Sequence, residues 1–150
     1  MIARWLLAAV HLLAFGYALA SILRRSRGLR RCTTMEDLPA VFSADNGWGM
    51  AALVLIVTGL MRAFGGFGKG AGYYLHEPLF YLKMGALIVI LALEVAPMMA
   101  LFRWRLAYRR GDVPDLTAAP KYSRISVVQA VLLVLMVLAA SGMARGIWAQ

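Results

Sequence analysis

The chain has 150 residues, of which 62% are hydrophobic, and its formal net charge is +9. The apolar residues lie in four long blocks with little charge, a pattern that excludes an ordinary soluble domain and predicts membrane-spanning helices. We therefore expect an all-α membrane protein, a single domain over residues 1–150 whose four transmembrane helices form a bundle.

The positive charge is concentrated in two predicted loops, residues 24–46 and 102–124. Loops rich in lysine and arginine stay in the cytoplasm. We therefore expect both termini on the periplasmic side of a bacterial inner (cytoplasmic) membrane. Attraction to anionic headgroups accounts for this charge, so the lipid bilayer is the expected partner and nucleic acid is not. The basic residues of the two loops are Arg24, Arg25, Arg27, Arg30, Arg31, Arg103, Arg105, Arg109, Arg110, Lys121 and Arg124.

The first predicted span covers residues 5–23 and contains His11, about 9 Å inside its outer end. An imidazole at that depth cannot extend to the headgroups, so His11 is either a structural hydrogen-bonding group or a ligand-binding residue. The stretch "ALAS", residues 18–21, resembles a signal-peptide cleavage site. The arginines that follow it favour retention of this segment as a helix.

The second predicted span, residues 47–64, follows the first basic loop and ends near Arg62. Residues 36–42 have apolar side chains at helical spacing, which predicts a short interfacial helix. The stretch "SADNGWG", residues 43–49, is typical of a turn in which Asp45 or Asn46 caps the next helix. The same loop contains Cys32, the only cysteine in the sequence, so no disulfide can form within it.

The third predicted span, residues 79–101, begins after a glycine-rich loop. Pro78 suits the first turn of a helix, and Glu77 before it complements the helix dipole. Lys83 lies at about the depth of His11. Glu94 lies about three turns further along the same helix face, which we expect to point into the bundle.

The fourth predicted span covers residues 125–147. Gly111 is expected to end an extension of the third helix, and Ser123 to cap the fourth. Gly142 and Gly146 have the GxxxG spacing, which indicates either a contact inside the bundle or a dimer face.

The candidate site lies in the outer half of the predicted bundle. His11, Arg62 and Lys83 form its candidate pocket, with His76 and Glu77 at the rim. A partly desolvated cationic pocket suits an anion such as a lipid phosphate, a small anion or porphyrin propionates. An alternative stays open, in which Arg62 and Lys83 extend to the headgroups instead.

Glu94 is a buried acid deep in the third span. It is either part of the site or a neutral carboxylic acid hydrogen-bonded to Gln129. The sequence contains no defensible serine–histidine–acid arrangement and too few cysteines and histidines for a zinc or iron–sulfur site. Whether the protein is an enzyme therefore stays open.

Three stretches resemble the bacterial membrane-protein family known as domain of unknown function 2214. They are residues 42–85, which include "DNGWG" and "YYLHEP", residues 93–105 ("LEVAPMMALFRWR") and residues 129–146 ("QAVLLVLMVLAASGMARG"). The resemblance implies a small four-helix protein of the inner membrane. It implies no activity.

A weaker resemblance concerns the four-helix membrane protoporphyrinogen oxidases, which bind b-type haem. Those proteins have a histidine in the first helix and a lysine early in the third, and His11 and Lys83 stand in comparable places. The resemblance implies His11 as a haem-iron ligand and Lys83 with Arg62 as partners of the propionates.

Three functions follow as expectations. The first is a small-ligand-binding protein or an accessory subunit of a larger membrane complex, with a cationic pocket in the outer half of the bundle. The second is a haem-b redox protein. The third is an anion or lipid transporter that acts as a homo-oligomer, since four short spans need oligomerisation to build a path.

Overall fold

The computed structural model describes residues 1–66, 72 and 75–145 and contains four long helices and no strand within them. A single 3₁₀ turn, Met35–Asp37, precedes the second helix. All four helices are long and apolar enough to cross a membrane. The predicted all-α, four-span architecture is confirmed, and the side on which the termini lie stays a prediction. The helices are α1 (Ile2–Arg31), α2 (Leu38–Phe64), α3 (Pro78–Arg110) and α4 (Ala119–Arg145).

Consecutive helices are antiparallel, so the connecting loops lie at the two ends of the bundle. One end is rich in basic residues, and at the other α2 ends where the glycine-rich stretch of the sequence begins. At the basic end, Ser26 near the end of α1 meets Ser123 near the start of α4, with Ser123 Oγ donating to Ser26 O at 2.8 Å. At the opposite end, which we call the glycine end, Arg4 donates to the carbonyl of Gly66 at 3.1 Å. The outer helix surfaces expose many large apolar side chains, as expected for contact with lipid.

Three of the four sides of the bundle are formed by packed helix pairs. Helix α1 packs against α2 and α4, and α3 packs against α4. The backbones of α2 and α3 approach each other at few points, and side chains such as Trp48 and Arg105 connect them across the gap. We call this fourth side the α2–α3 seam.

Three buried apolar clusters follow one another along the bundle. The basic-end cluster is centred on Leu29, Val41 and Trp104. The middle cluster takes residues from all four helices, which are Ala18, Ile22, Trp48, Ala51, Ile90, Ala130 and Leu133. The glycine-end cluster consists of Ala63, Phe80 and Met143. Burial of apolar surface between helices is thus continuous except where polar layers interrupt it.

Two predicted helix boundaries are confirmed. Pro78 occupies the first turn of α3, directly after Glu77, where a missing amide hydrogen costs little. Gly111 ends α3 in the left-handed region at φ 80°, a conformation that glycine adopts without strain.

Three local predictions around the basic end are wrong. Residues 36–42 do not form a separate interfacial helix, because α2 already begins at Leu38. The stretch "SADNGWG" is helical rather than a turn, so Asp45 and Asn46 lie inside α2 and cap nothing. Their carboxylate and amide bind arginines of other helices, which offsets their weak helix propensity. Ser123 likewise lies inside α4, which begins at Ala119.

Gly47 marks the closest approach of α1 and α2. A Cβ atom at this position would lie 2.7 Å from Ser21 Oγ and 3.0 Å from the hydroxyl of Tyr17. Only glycine therefore allows α2 to lie this near to α1. Gly142, the first residue of the GxxxG pair, is buried in the bundle, whereas Gly146 lies outside the described residues.

Candidate functional site

The first polar layer is centred on Arg25, whose side chain has no exposed surface. Its Nε donates to Ser126 Oγ at 3.1 Å. Its Nη1 donates to Asp45 Oδ1 at 2.9 Å and to Glu94 Oε1 at 2.6 Å. Its Nη2 donates to Glu94 Oε2 at 2.9 Å and to Gln129 Oε1 at 2.8 Å. All five N–H donors of the guanidinium are therefore used, by partners on the three other helices.

Glu94 is held from several directions at once. Besides the two bonds from Arg25, its Oε2 accepts from Trp48 Nε1 at 3.0 Å and from Gln129 Nε2 at 2.7 Å. Gln129 Nε2 also donates to the carbonyl of Ile90 at 3.1 Å, which fixes the orientation of the amide. The predicted Glu94–Gln129 contact is present. The bidentate guanidinium is the main partner, and that geometry belongs to an ionised carboxylate rather than a neutral acid.

A second arginine completes the charge balance. Arg105 Nη2 donates to Asp45 Oδ2 at 2.8 Å, and Arg105 Nη1 donates to Asn46 Oδ1 at 2.8 Å. The Arg105 guanidinium also stacks over the Phe42 ring at 4.8 Å from its centroid. Two cations and two carboxylates thus balance each other. We call this set of Arg25, Asp45, Trp48, Glu94, Arg105, Ser126 and Gln129 the arginine network.

Sequence reasoning missed the arginine network because it assigned Arg25 to a cytoplasmic loop. Helix α1 continues to Arg31, so Arg25 lies inside it and points into the bundle. A signal was available in the spacing of Ala18, Ile22, Arg25 and Leu29, which is the spacing of one helix face. All four are fully buried. The arginine-rich composition obscured this periodicity.

The second polar layer begins with His11 of α1 and Thr58 of α2. Thr58 Oγ1 donates to the carbonyl of Val54 at 2.6 Å, so its oxygen accepts a second hydrogen bond from His11 Nδ1 at 2.7 Å. In the neutral imidazole this places the proton on Nδ1 and leaves the lone pair on Nε2. His11 is thereby oriented by Thr58, with its other nitrogen able to accept a hydrogen bond or to bind a metal.

Arg62 lies one turn after Thr58, the partner of His11. Ala63, which follows Arg62 on α2, shares a buried cluster with Phe80, which lies one turn before Lys83 on α3. The side chains of His11, Arg62 and Lys83 are half-buried. Arg62 and Lys83 lie at the level of the glycine-end cluster, because Ala63 of that cluster follows Arg62 and Met84, which packs against it, follows Lys83. We call His11, Arg62 and Lys83 the cationic cluster.

The cationic cluster differs from the arginine network in its charge balance. The chain has seven acidic residues, all within its described part, and only Glu77 lies in the half of the bundle that contains the cluster. None of the described ion pairs includes Arg62 or Lys83. Arg62 and Lys83 therefore lie in a half-buried layer without a carboxylate partner among the described residues.

Glu94, and polar side chains near the glycine end, lie outside the cationic cluster. Glu77 is buried, with 6% of its surface exposed, at the start of α3. His76 is exposed, and its Nδ1–H donates to the carbonyl of Gly72 at 2.7 Å, so it belongs to the loop at the glycine end. Arg145 is exposed at the end of α4. Glu94 belongs to the arginine network, on the same inward face of α3 as Lys83.

The described residues contain no group of three or more histidine, cysteine, aspartate or glutamate side chains that could hold a metal ion. The cationic cluster therefore offers one imidazole nitrogen and two cations. That combination is suited to an anion, or to a metal complex that brings most of its own ligands and carries carboxylates.

The fold defines a small multi-pass membrane protein built as a four-helix bundle. Carboxylates balance the arginines of the arginine network, whereas no described carboxylate balances the cationic cluster. A family profile described as "Predicted membrane protein (DUF2214)" matches residues 3–148, and the chain belongs to that family. None of the curated proteins and none of the solved structures matches this chain.

Proposed function

We propose that this chain is a ligand-binding protein of the bacterial inner membrane that holds an anion at the cationic cluster. The observation that carries the proposal is the contrast between the two polar layers. Arg25 and Arg105 are paired with carboxylates, whereas the part of the chain that the structure describes provides none for Arg62 and Lys83. A charge withdrawn from water is costly unless it is paired. An anionic ligand would supply the missing counter-charge.

The geometry supports one site rather than separate surface anchors. The three basic groups come from three different helices. Thr58, which is hydrogen-bonded to His11, lies one turn before Arg62 on α2. Thr58 orients the His11 ring, so the layer also contains a positioned hydrogen-bonding group. Arg62 and Lys83 are both cationic, so an anion near them would be favourable.

The test measures the stability of delipidated protein in a neutral detergent. Unpaired charges in a binding site lower the stability of the ligand-free protein, so removal of such a charge raises that stability. Lys83→Met should therefore increase the apparent Tm of the ligand-free protein. Lys121→Met is the matched control, because Lys121 is exposed at the basic end. Equal Tm values for wild type and both variants would instead support snorkelling of Lys83 to the headgroups.

Haem b is a second candidate ligand, favoured by the His11–Thr58 hydrogen bond. A histidine whose Nδ1–H is held by a second group presents Nε2 in the way that metal-bound histidines do. His11 would bind the iron, and Arg62 and Lys83 would bind the propionates. When bound, haem would supply one-electron redox chemistry.

A reduced-minus-oxidised visible spectrum tests this candidate directly. Protein expressed with ample haem should show a b-type band that is lost in His11→Ala and retained in His76→Ala, the control at the exposed histidine. A colourless wild-type protein after such expression excludes haem and leaves the anion proposal intact.

A further inference from the structure

Resting on the proposed function, we propose that the anion is the headgroup phosphate of a membrane lipid, which reaches Arg62 and Lys83 through the α2–α3 seam. The ligand's acyl chains would lie along the seam, against the outside of the bundle. The alternative source of the same chemistry is free phosphate from the aqueous phase.

The seam is the weakest side of the bundle. The helix pairs α1–α2, α1–α4 and α3–α4 pack closely, whereas α2 and α3 approach each other at few points. In the basic half, hydrogen bonds nonetheless join the two helices: Trp48 donates to Glu94 at 3.0 Å and Arg105 to Asp45 at 2.8 Å. This half of the seam is closed by groups of opposite charge or matching polarity.

In the glycine half, no side-chain hydrogen bond or ion pair joins α2 to α3 among the residues that the structure describes. Ala63 of α2 and Phe80 of α3 belong to one buried cluster here. The charged side chains nearest to them on these two helices are Arg62 and Lys83, which are both cationic. Each is half-buried, so part of each side chain borders the outside of the bundle. Along the same two helix faces, Leu55 and Leu87 are also half-buried apolar side chains. A phosphate on the cations with a hydrocarbon chain over the leucines fits this pattern.

The depth of the cations agrees with a lipid phosphate. Helix α3 has 33 residues and is therefore about 50 Å long, against about 30 Å for the hydrocarbon core. Lys83 lies five residues after Pro78, about 8 Å along the axis, which is close to the level where headgroups begin. Ala63, Phe80 and Met143 form a buried cluster toward the glycine end. Within the described residues this cluster obstructs access from the glycine end, so the proposed route to the cations is the seam.

The test compares a lipid with free phosphate on the same delipidated protein in neutral detergent. Mixed micelles with dioleoylphosphatidylglycerol should raise the apparent Tm by several degrees, whereas dioleoylphosphatidylcholine and inorganic phosphate should not. Lys83→Met and Arg62→Gln should abolish the lipid effect. Lys121→Met and Arg124→Gln, which remove exposed cations of the same types at the basic end, should retain it.

The possible outcomes distinguish the source of the phosphate, its location in the bundle and the existence of the anion site. A Tm increase with inorganic phosphate equal to that with the anionic lipid would overturn the lipid source and leave the proposed anion site standing. A lipid effect that survives both Lys83→Met and Arg62→Gln would overturn the seam as its location. No response to either ligand, together with an unchanged Tm for ligand-free Lys83→Met, would overturn the anion site itself.

Discussion

Arg25 and Glu94 form a bidentate ion pair inside the bundle, with Nη1–Oε1 and Nη2–Oε2 distances of 2.6 and 2.9 Å. They come from α1 and α3, which are 69 residues apart in sequence at this contact. Gln129 of α4 and Trp48 of α2 also bind Glu94, so the pair joins all four helices. A network in which every donor is used specifies one register of the helices, because any slip would leave charges unpaired.

Removal of Arg25 should be strongly destabilising. Arg25→Met leaves Glu94 without its cationic partner, and breaking such a buried pair typically costs about 3–5 kcal/mol of unfolding free energy. Unfolding in mixed detergent–SDS micelles measures this change. The matched control is Arg24→Met, since Arg24 is exposed on the same helix.

The double variant Arg25→Met/Glu94→Met distinguishes the loss of the whole ion pair from the cost of leaving one buried charge unpaired. It removes both charges, and Asp45 keeps Arg105 as its partner. We therefore expect it to be more stable than Arg25→Met alone. If Arg24→Met and Arg25→Met were equally destabilising, the network would have no special role in stability.

Arg105 should stabilise the α2–α3 seam at the basic end. Arg105→Met removes hydrogen bonds to Asp45, Asn46 and the Phe42 carbonyl. Hydrogen bonds to charged groups are worth about 1.5–3 kcal/mol, and partial exposure of Arg105 puts the expected loss at the low end of this range. The neighbouring Arg103→Met should change little, because Arg103 makes only a long bond to its own helix at Met99. Equal losses in the two variants would contradict this assignment.

Gly47 should be far less tolerant of substitution than Gly49. The Cβ atom of Gly47→Ala would lie 2.7 Å from Ser21 Oγ, and overpacking of this kind costs about 1–3 kcal/mol. Gly49 has nothing within 4 Å of the same position, so Gly49→Ala should be neutral or stabilising by up to about 1 kcal/mol. The same SDS titration measures both.

A second substitution tests the cause assigned to Gly47. Because Ser21 Oγ is the nearest atom, Ser21→Ala should restore part of the stability lost in Gly47→Ala. A double variant no more stable than Gly47→Ala would show that the α1–α2 distance is limited by other contacts, such as the Tyr17 hydroxyl at 3.0 Å.

Cys32 should react slowly with alkylating reagents. Burial raises the pKa of its thiol, and the negative charge of Asp37 adds to the effect. The thiolate is the reactive form, so the pH midpoint of the iodoacetamide rate should lie above that of a free thiol. Asp37→Asn removes the charge and should move the midpoint to lower pH. SDS-unfolded protein is the control, and equal midpoints in folded and unfolded protein would contradict the prediction.

The amino-acid sequence alone determined the architecture. Four apolar blocks long enough to span a bilayer can satisfy their backbone hydrogen bonds there only as helices, so the four-span bundle follows from composition and length. The sequence also predicted where α3 begins and ends, at Pro78 and Gly111. A proline at a helix start and a glycine at its end act through their own backbone, without partners elsewhere in the chain.

Only the tertiary structure decided which charges are paired. Helical spacing set Arg25 apart from its exposed neighbour Arg24, but it did not indicate which groups Arg25 binds, and "SADNGWG" had the composition of a turn. The hydrogen-bond partners of Arg25 lie 20 to 104 residues away in the sequence, so no local sequence pattern contains them. The cationic cluster was predicted from depth, but its lack of a carboxylate partner became visible only when Asp45 and Glu94 were found bound to Arg25. The paired charges of this bundle come from different helices, and these side chains meet only in the folded protein. The tertiary structure therefore decides which charges are balanced.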